Sequence, residues 1–397
     1  MNKKTAWLIS PSSPVPGEGW GGVKTHTELL NALLAKLGFE VITIVPSGVS
    51  SGGAGIEPVA SAAEPHTAAW QTALRGKAEE LLAVSGPDVV ISEGYYAAGI
   101  EDVLKKRGIP LVAFVHNFHL VHFQKLWAEI DSARALAYYL VKTIPRLLLL
   151  IFRHERPFLR KADMVLSVSE KNSALLRSFY RLPPSKVQTL HNWAADVLFV
   201  RSGTLRAGTR AKLLLAQDPP VFLALGALWK PKGFQVAIAA FKLLAAEEAA
   251  PVLLIAGSGN YEPRLKAIAG KQLLESGRIR FLGTWPREDL PALYSTADIF
   301  IMPSTHPEGL AYTLIEAMAA GLPAIATDLG GNTETVGDAG ILVPHSDPER
   351  LCAAMLKLAR DPGTREKLAA RSAKRALELF SEKTAMEKLD SVLRRLC

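Results

Sequence analysis

The chain has 397 residues, 49% hydrophobic and 21% charged, a soluble globular composition with room for two domains of about 150–200 residues each. Its 46 basic against 38 acidic residues give a net charge of +8, which suits an anionic partner such as nucleotide phosphate or anionic lipid. Nucleic acid is the weakest such partner, because no zinc-finger or RNA-recognition signature appears. The two cysteines, Cys352 and Cys397, are too far apart to suggest a disulfide framework, which points to a reducing compartment.

In MNKKTAWLIS, Pro11 follows too early for a signal-peptide core, so TAWLIS (5–10) reads as a first strand. No apolar stretch approaches the ~20 residues needed to span a bilayer. Further short apolar runs follow at 40–46, 88–92, 110–116, 164–169 and 186–192, then at 220–226, 251–257, 279–283, 298–304, 323–328 and 340–344. Between them lie helical patterns such as THTELLNALLAKLG, with Leu30, Leu33, Leu34 and Leu37 on one face and Gly38 as the stop. Strands apolar throughout, alternating with helices, predict two parallel sheets covered on both faces. The expectation is α/β: two doubly wound, Rossmann-like domains, 1–200 and 201–379, facing a central cleft. The polar, basic segment 200–220 reads as their connection. Ligands in such sheets bind beyond the carboxyl ends of the strands.

The loops at those strand ends are the candidates. After the first strand, Gly17, Gly19, Gly21 and Gly22 lead into a helix beginning near Thr25, either as a loop that lets backbone approach a ligand or as plain surface. GALWKPKG (226–233) carries Lys230 and Lys232, a diphosphate clamp or a solvated turn. AGSGN, with Gly257, Gly259 and Asn260, ends the next strand. HPEGLAYTLIEAMAAGLP (306–323) poses the sharpest problem, because Glu308 precedes a helix and Glu316 lies inside its apolar run. Eight residues separate the two carboxylates, about two turns and about 80° of rotation. Glu316 needs partners, either ribose hydroxyls or a nearby basic residue. The amides from Leu310 through Ala311 to Thr313 would face phosphate.

These residues resemble the retaining glycosyltransferases of family four (glycosyl transferases group 1), which have the GT-B fold. The resemblance runs along nearly the whole chain and is strongest from Gly226 to Pro344. It rests on Glu308, Glu316 and the following AMAAGLP, on ADIFIMPS, TDLGGNTETV and GILVPHSDPERL, and on GGVKTHTELLNALLAKLGFEV in the first half. It implies that Glu316 binds the ribose of a sugar nucleotide and that Glu308, followed by Gly309, stands beside the transferred sugar. It likewise implies that Lys232 neutralises the leaving diphosphate, that Gly21 and Gly22 close over the phosphates, and that His116 contacts the donor sugar. No metal or cofactor is implied. Ala227 departs from the family, which has arginine there; Lys230 or an arginine from elsewhere would replace it. Gly309-Leu310-Ala311 and Asn192-Trp193-Ala194-Ala195-Asp196 depart as well.

The function so implied is a hexosyl transfer from a nucleotide-diphosphate sugar to a glycan or lipid-linked acceptor, in cell-surface polysaccharide or glycolipid synthesis. The alternatives are an epimerase or hydrolase of the same fold, or a non-catalytic nucleotide-sugar-binding module. The three histidines of HNFHLVH (116–122) lack an acidic or cysteine partner in sequence, so they read as donor and acceptor contacts rather than a zinc site. Segment 134–163 joins LLLLIF to Lys142, Arg146, Arg153, Arg156, Arg160 and Lys161, the pattern of a basic amphipathic helix on an anionic membrane, kinked or divided at Pro145. The expected location is cytoplasmic, peripheral on the inner face of the cell membrane. By the same resemblance, the C-terminal helix 380–397 packs back on the first domain, crossing near Phe380.

Overall fold

In a computed structural model, residues 3–15, 21–50, 53–116, 118–120, 132–199, 202–216, 220–248 and 250–397 are described. They form two compact units, Met1–His191 with Ala385–Cys397, and Asn192–Thr384.

The first unit holds seven parallel strands: β1 (Thr5–Ile9), β2 (Glu40–Pro46), β3 (Ile56–Val59), β4 (Val89–Glu93), β5 (Leu111–Val115), β6 (Met164–Ser167) and β7 (Val187–Thr189). Their order is β3-β2-β1-β4-β5-β6-β7. The second unit holds β8 (Val221–Leu225), β9 (Val252–Ala256), β10 (Ile279–Gly283), β11 (Ile299–Met302), β12 (Ala324–Thr327) and β13 (Ile341–Val343), ordered β10-β9-β8-β11-β12-β13. Both sheets are doubly wound, and both reverse direction beside their first strand, between β1 and β4 and between β8 and β11. Each apolar run named above overlaps one of these strands, the 88–92 run stopping one residue short of Glu93 at the end of β4. The exception is β3, IEPV, which the sequence reading missed. Its Pro58 breaks the apolar pattern, and the strand lies at the sheet edge, where a residue without an N–H is tolerated.

Each sheet has its own core. Trp7, Trp70, Phe158 and Leu176 are buried in the first, and Phe222, Phe241, Ile301 and Met355 in the second. Burying each such side chain stabilises the fold by roughly 1.5–3 kcal/mol.

Segment 200–220 is not a simple connection. Its described residues include a helix, Gly203–Lys212, capped by the Ser202 hydroxyl and belonging to the second unit. Two of its basic residues are anchors: Arg206 and Arg210 each reach Asp298 at 2.7 Å, and Arg210 is fully buried. Asp298 also accepts from the Val221 amide at 2.8 Å, so the helix fastens the starts of β8 and β11 together.

The basic segment forms an unbroken helical run from Ala133 to Lys161 that Pro145 does not divide. Two π-helical stretches, Tyr139–Thr143 and Ile151–Glu155, each end two residues before a proline, Pro145 and Pro157. A proline lacks the donor and crowds the carbonyl of the preceding turn; a widened turn accommodates both. Tyr138, Leu140, Val141, Leu148, Leu149 and Phe152 are exposed along the run. Glu155 faces inward, accepting from the Tyr180 hydroxyl and, at 3.2 Å, from the His119 amide. No helix among the described residues is long and apolar enough to cross a membrane. At the C-terminus, the Pro362–Phe380 helix stops at Ser381, a second helix runs Glu382–Leu393, and the chain returns to the first unit at Ala385.

Candidate active site

In the second unit the chain leaves β8 toward β9 and leaves β11 toward β12, so it departs from these two neighbouring strands in opposite directions. Such a reversal opens a crevice at the strand ends. The loop after β8 contains a single 3-10 turn, Lys230–Lys232. Lys232 Nζ donates to both oxygens of Glu308, at 2.9 and 3.1 Å, and Ser304 Oγ donates to one of them at 2.8 Å. The two loops are locked together at the Pro231 carbonyl, which accepts from Thr305 N at 2.9 Å, Thr305 Oγ1 at 3.1 Å and His306 Nδ1 at 2.7 Å. The Gly331 amide donates to the Glu308 carbonyl at 2.8 Å. A side chain at Gly331 would place its Cβ 1.9 Å from the Gly309 oxygen, so glycine there lets the Glu308 turn seat. Burial opposes charge on Glu308, but Lys232 and then His306 outweigh it and hold the carboxyl at about 2.

The helix beyond runs Tyr312–Ala319, with Ala311 at its N-cap and no side-chain cap on its first amides. The Leu310 carbonyl accepts from Asn192 Nδ2 at 2.7 Å. Glu316 is 2% exposed. Its Oε2 accepts from the Tyr294 hydroxyl at 2.9 Å, and the Tyr294 hydroxyl also meets the Thr313 carbonyl at 3.3 Å. Its Oε1 makes no hydrogen bond to a described residue; the nearest guanidinium nitrogen of Arg287 stands 3.6 Å away. Burial raises the Glu316 carboxyl above its ordinary value, against the pull of Arg287 and Tyr294. Arg287 and Tyr294 were not singled out from the sequence. They come from the segment after β10, and nothing in their spacing links them to Glu316.

Lys230, Gly257, Gly259 and Asn260 stand on the loops after β8 and β9. Lys230 is exposed on the turn, and it is Lys232 that meets Glu308. Gly257 and Gly259 are explained by packing, because Cβ atoms there would lie 1.9 Å from the Gly226 oxygen and 2.4 Å from the Leu228 oxygen. Their loop carries backbone of the β8 turn, through Leu228 N to the Ser258 carbonyl at 2.9 Å. Asn260 is exposed beside them.

In the first unit, Gly17 and Gly19 lie outside the described residues. Gly21, with φ of 113°, caps the Gly22–Lys36 helix. Lys24, buried in its first turns, donates to the carbonyls of Ser13, at 2.8 Å, and Val15, tying the loop after β1 to the helix. His116 follows β5, and its Nε2 lies 2.6 Å from Glu93 Oε2. His122 is outside the described residues, and His119 packs toward Glu155, with Nδ1 3.3 Å from its carboxylate. Among the described residues, His26, Glu93 and His116 are the group whose ligand atoms converge within 4.8 Å. An acidic partner for His116 therefore exists, supplied by the end of β4 and not by its own stretch.

A family model described as glycosyl transferases group 1 matches residues 206–375, and one described as glycosyltransferase family 4 matches residues 20–194. The chain is 28% identical over 245 residues to a putative colanic acid biosynthesis glycosyltransferase, WcaL, of Salmonella typhimurium, covering 60% of this chain and 58% of that one. It is 32% identical over 195 residues to a GDP-mannose-dependent monoacylated alpha-(1-6)-phosphatidylinositol monomannoside mannosyltransferase of Corynebacterium glutamicum, covering 47% and 50%. The chain thus spans little more than half the length of these relatives. A sucrose-phosphate synthase structure from Thermosynechococcus elongatus superposes with a TM-score of 0.76 at 22% identity over 99% of both chains, which shows the GT-B fold. Two family models that between them take in both units, together with that fold, make this chain a member of the group 1, family 4 glycosyltransferases.

Proposed function

We propose that the chain is a retaining glycosyltransferase that moves a hexosyl group from a nucleotide-diphosphate sugar to a glycan or lipid-linked acceptor in cell-surface polysaccharide or glycolipid synthesis. The observation that carries this reading is the Lys232–Glu308 pair at the start of the helix that buries Glu316. Glu316 Oε1, desolvated, without a hydrogen bond to a described residue and 3.6 Å from Arg287, suits a ribose hydroxyl. Lys232 and the uncapped amides of the helix suit a diphosphate. The relatives' names agree in class: one is GDP-mannose-dependent and acts on a phosphatidylinositol glycolipid, and the other is assigned to colanic acid synthesis.

The chemistry follows. The bond from the anomeric carbon to the phosphate oxygen breaks, and the sugar becomes oxocarbenium-like. The acceptor oxygen bonds to the same face, and its proton passes to the leaving phosphate. Negative charge grows on that phosphate, where Lys232 is already an ammonium held in place. Glu308 steadies the lysine and the sugar electrostatically. Lysine and helix amides do the work of a metal in this scheme, so transfer should persist in EDTA. Loss in EDTA with recovery in manganese or magnesium overturns that part. Incubation with sugar nucleotides, without and then with acceptor, tests the whole: transfer only with acceptor supports it, whereas hydrolysis, epimerisation or no turnover of a bound donor contradicts it.

The Ala133–Lys161 run, with exposed apolar side chains among basic ones, is proposed to rest on an anionic membrane surface. Each basic residue near such a surface contributes about 1 kcal/mol. Replacing Arg153, Arg156 and Arg160 by glutamate should release the protein from acidic vesicles without changing nucleotide affinity. Binding of the parent should weaken with salt but not vanish, because apolar insertion persists. Sedimentation of the triple variant like the parent rules the surface out.

A further inference from the structure

We infer that Glu93 and His26 are positioning residues for His116, fixing its ring so that Nδ1 is presented as a hydrogen-bond acceptor to a substrate hydroxyl. The inference rests on the glycosyltransferase reading for the identity of the reaction. Its geometry lies wholly within the first unit.

Glu93 ends β4, a strand buried at all five positions, and is itself 2% exposed. A carboxylate in that place is expensive unless both oxygens are paired. Each has one imidazole: His26 Nδ1 lies 2.6 Å from Oε1, and His116 Nε2 lies 2.6 Å from Oε2. A carboxylate only accepts, so both nitrogens carry their proton toward it. His26 is fully buried on the helix after β1, its ring 4.1 Å from that of His116 and 4.2 Å from that of Phe114. Burial lowers His26 to about 4, so at neutral pH it is an uncharged donor. Glu93, despite its burial, is held at about 2 by the two histidines and stays ionised. His116 is further fixed by stacking on Phe114, centroids 5.2 Å apart at 18°, and by Asn172 Nδ2 on its carbonyl at 3.2 Å. With Nε2 committed, Nδ1 is the nitrogen left for a ligand. An acid that selects the tautomer and aim of a working histidine is a general device.

The same three residues could be taken for a metal site, but their spacing speaks for shared protons. Two ligands on a tetrahedral zinc, with bonds of ~2.0–2.1 Å, stand about 3.3 Å apart. Here each nitrogen–oxygen pair is at 2.6 Å.

The test reads the tautomer and the kinetics together. Side-chain nitrogen-15 spectra of the intact protein, assigned with His116→Gln, should show His116 protonated at Nε2 and bare at Nδ1. Glu93→Gln should mix the tautomers. It should lower kcat for transfer about 10- to 100-fold with little change in donor KM. In a His116→Gln background the same change should add nothing further. A His116 protonated at Nδ1 in the parent, parent-like kcat in Glu93→Gln, or additive losses overturns the inference. If Glu93→Gln does not fold, His26→Gln serves. It should shift the His116 signals and lower kcat by a smaller factor, and unchanged spectra and rate overturn the inference. Stoichiometric metal in the parent that His26→Gln releases overturns it as well. Should the parent transfer no sugar, the glycosyltransferase reading fails, while the tautomer still decides this one.

Discussion

The two switch points of the molecule, β1/β4 and β8/β11, solve one problem with different side chains. Each places a carboxylate at or beyond the end of the strand after the reversal, buried Glu93 in the first unit and half-buried Glu308 in the second. Each clamps it with a base from the element that follows the first strand, His26 or Lys232. Both carboxyls are held at about 2 against the effect of burial. The difference lies in what the base can do next. Lys232, 27% exposed at its side chain, carries a charge that an arriving diphosphate can share. His26 is sealed and uncharged, so Glu93 stays locked between two rings. The first arrangement suits stabilising a leaving group, and the second suits aiming a neighbour.

Breaking the lysine clamp should have the largest effect. Lys232→Met should lower kcat for transfer about 10²–10³-fold, the scale for losing one preorganised donor to developing charge. Steady-state kinetics on folded protein checks it, and a loss confined to KM would mean that Lys232 binds substrate and product alike.

Acid should find both clamps. A folded-state value below the ordinary 4.5 contributes stability that is complete above the unfolded value and is lost as pH falls through the folded one, at about 2. Each pair could supply at most on the order of 3 kcal/mol. Glu308→Gln should therefore flatten the decline in stability between about pH 4.5 and 2 in denaturant titrations, and parent-like acid sensitivity would contradict the pairing.

Glu316 sharpens the contrast, because its value is raised, not lowered. The sign is opposite: the protonated form stabilises the fold, and that contribution fades as pH rises through the folded value. Glu316→Gln should thus melt no lower than the parent at neutral pH, yet bind nucleotide about 10- to 100-fold more weakly. Calorimetric titration beside thermal melts separates the two effects. Nucleotide affinity in the parent should also rise with pH through the Glu316 titration, since hydroxyl donors favour the carboxylate; a pH-independent affinity would speak against ribose as its partner.

Much of this was legible in the sequence because buried parallel strands leave unbroken apolar runs, and because Glu308 and Glu316 stand out in a stretch without other charge. Partners drawn from other strands were not legible. Glu93 falls one residue beyond the 88–92 run, His26 lies within a helical pattern, and Arg287 belongs to no motif. Only the strand order brings β1 beside β4, and only packing brings Tyr294 under Glu316. The 200–220 segment failed for the related reason that Asp298, the counter-charge to Arg206 and Arg210, is 88 residues beyond Arg210.

The most direct measurement compares a nucleoside diphosphate with its 2′,3′-dideoxy analogue, in the parent and in Glu316→Gln, using whichever of UDP, GDP, ADP or CDP most raises the melting temperature. The parent should prefer the ribose form by about 10- to 100-fold and the variant should lose most of that preference. Equal discrimination by the two proteins would show that Glu316 does not hold the ribose.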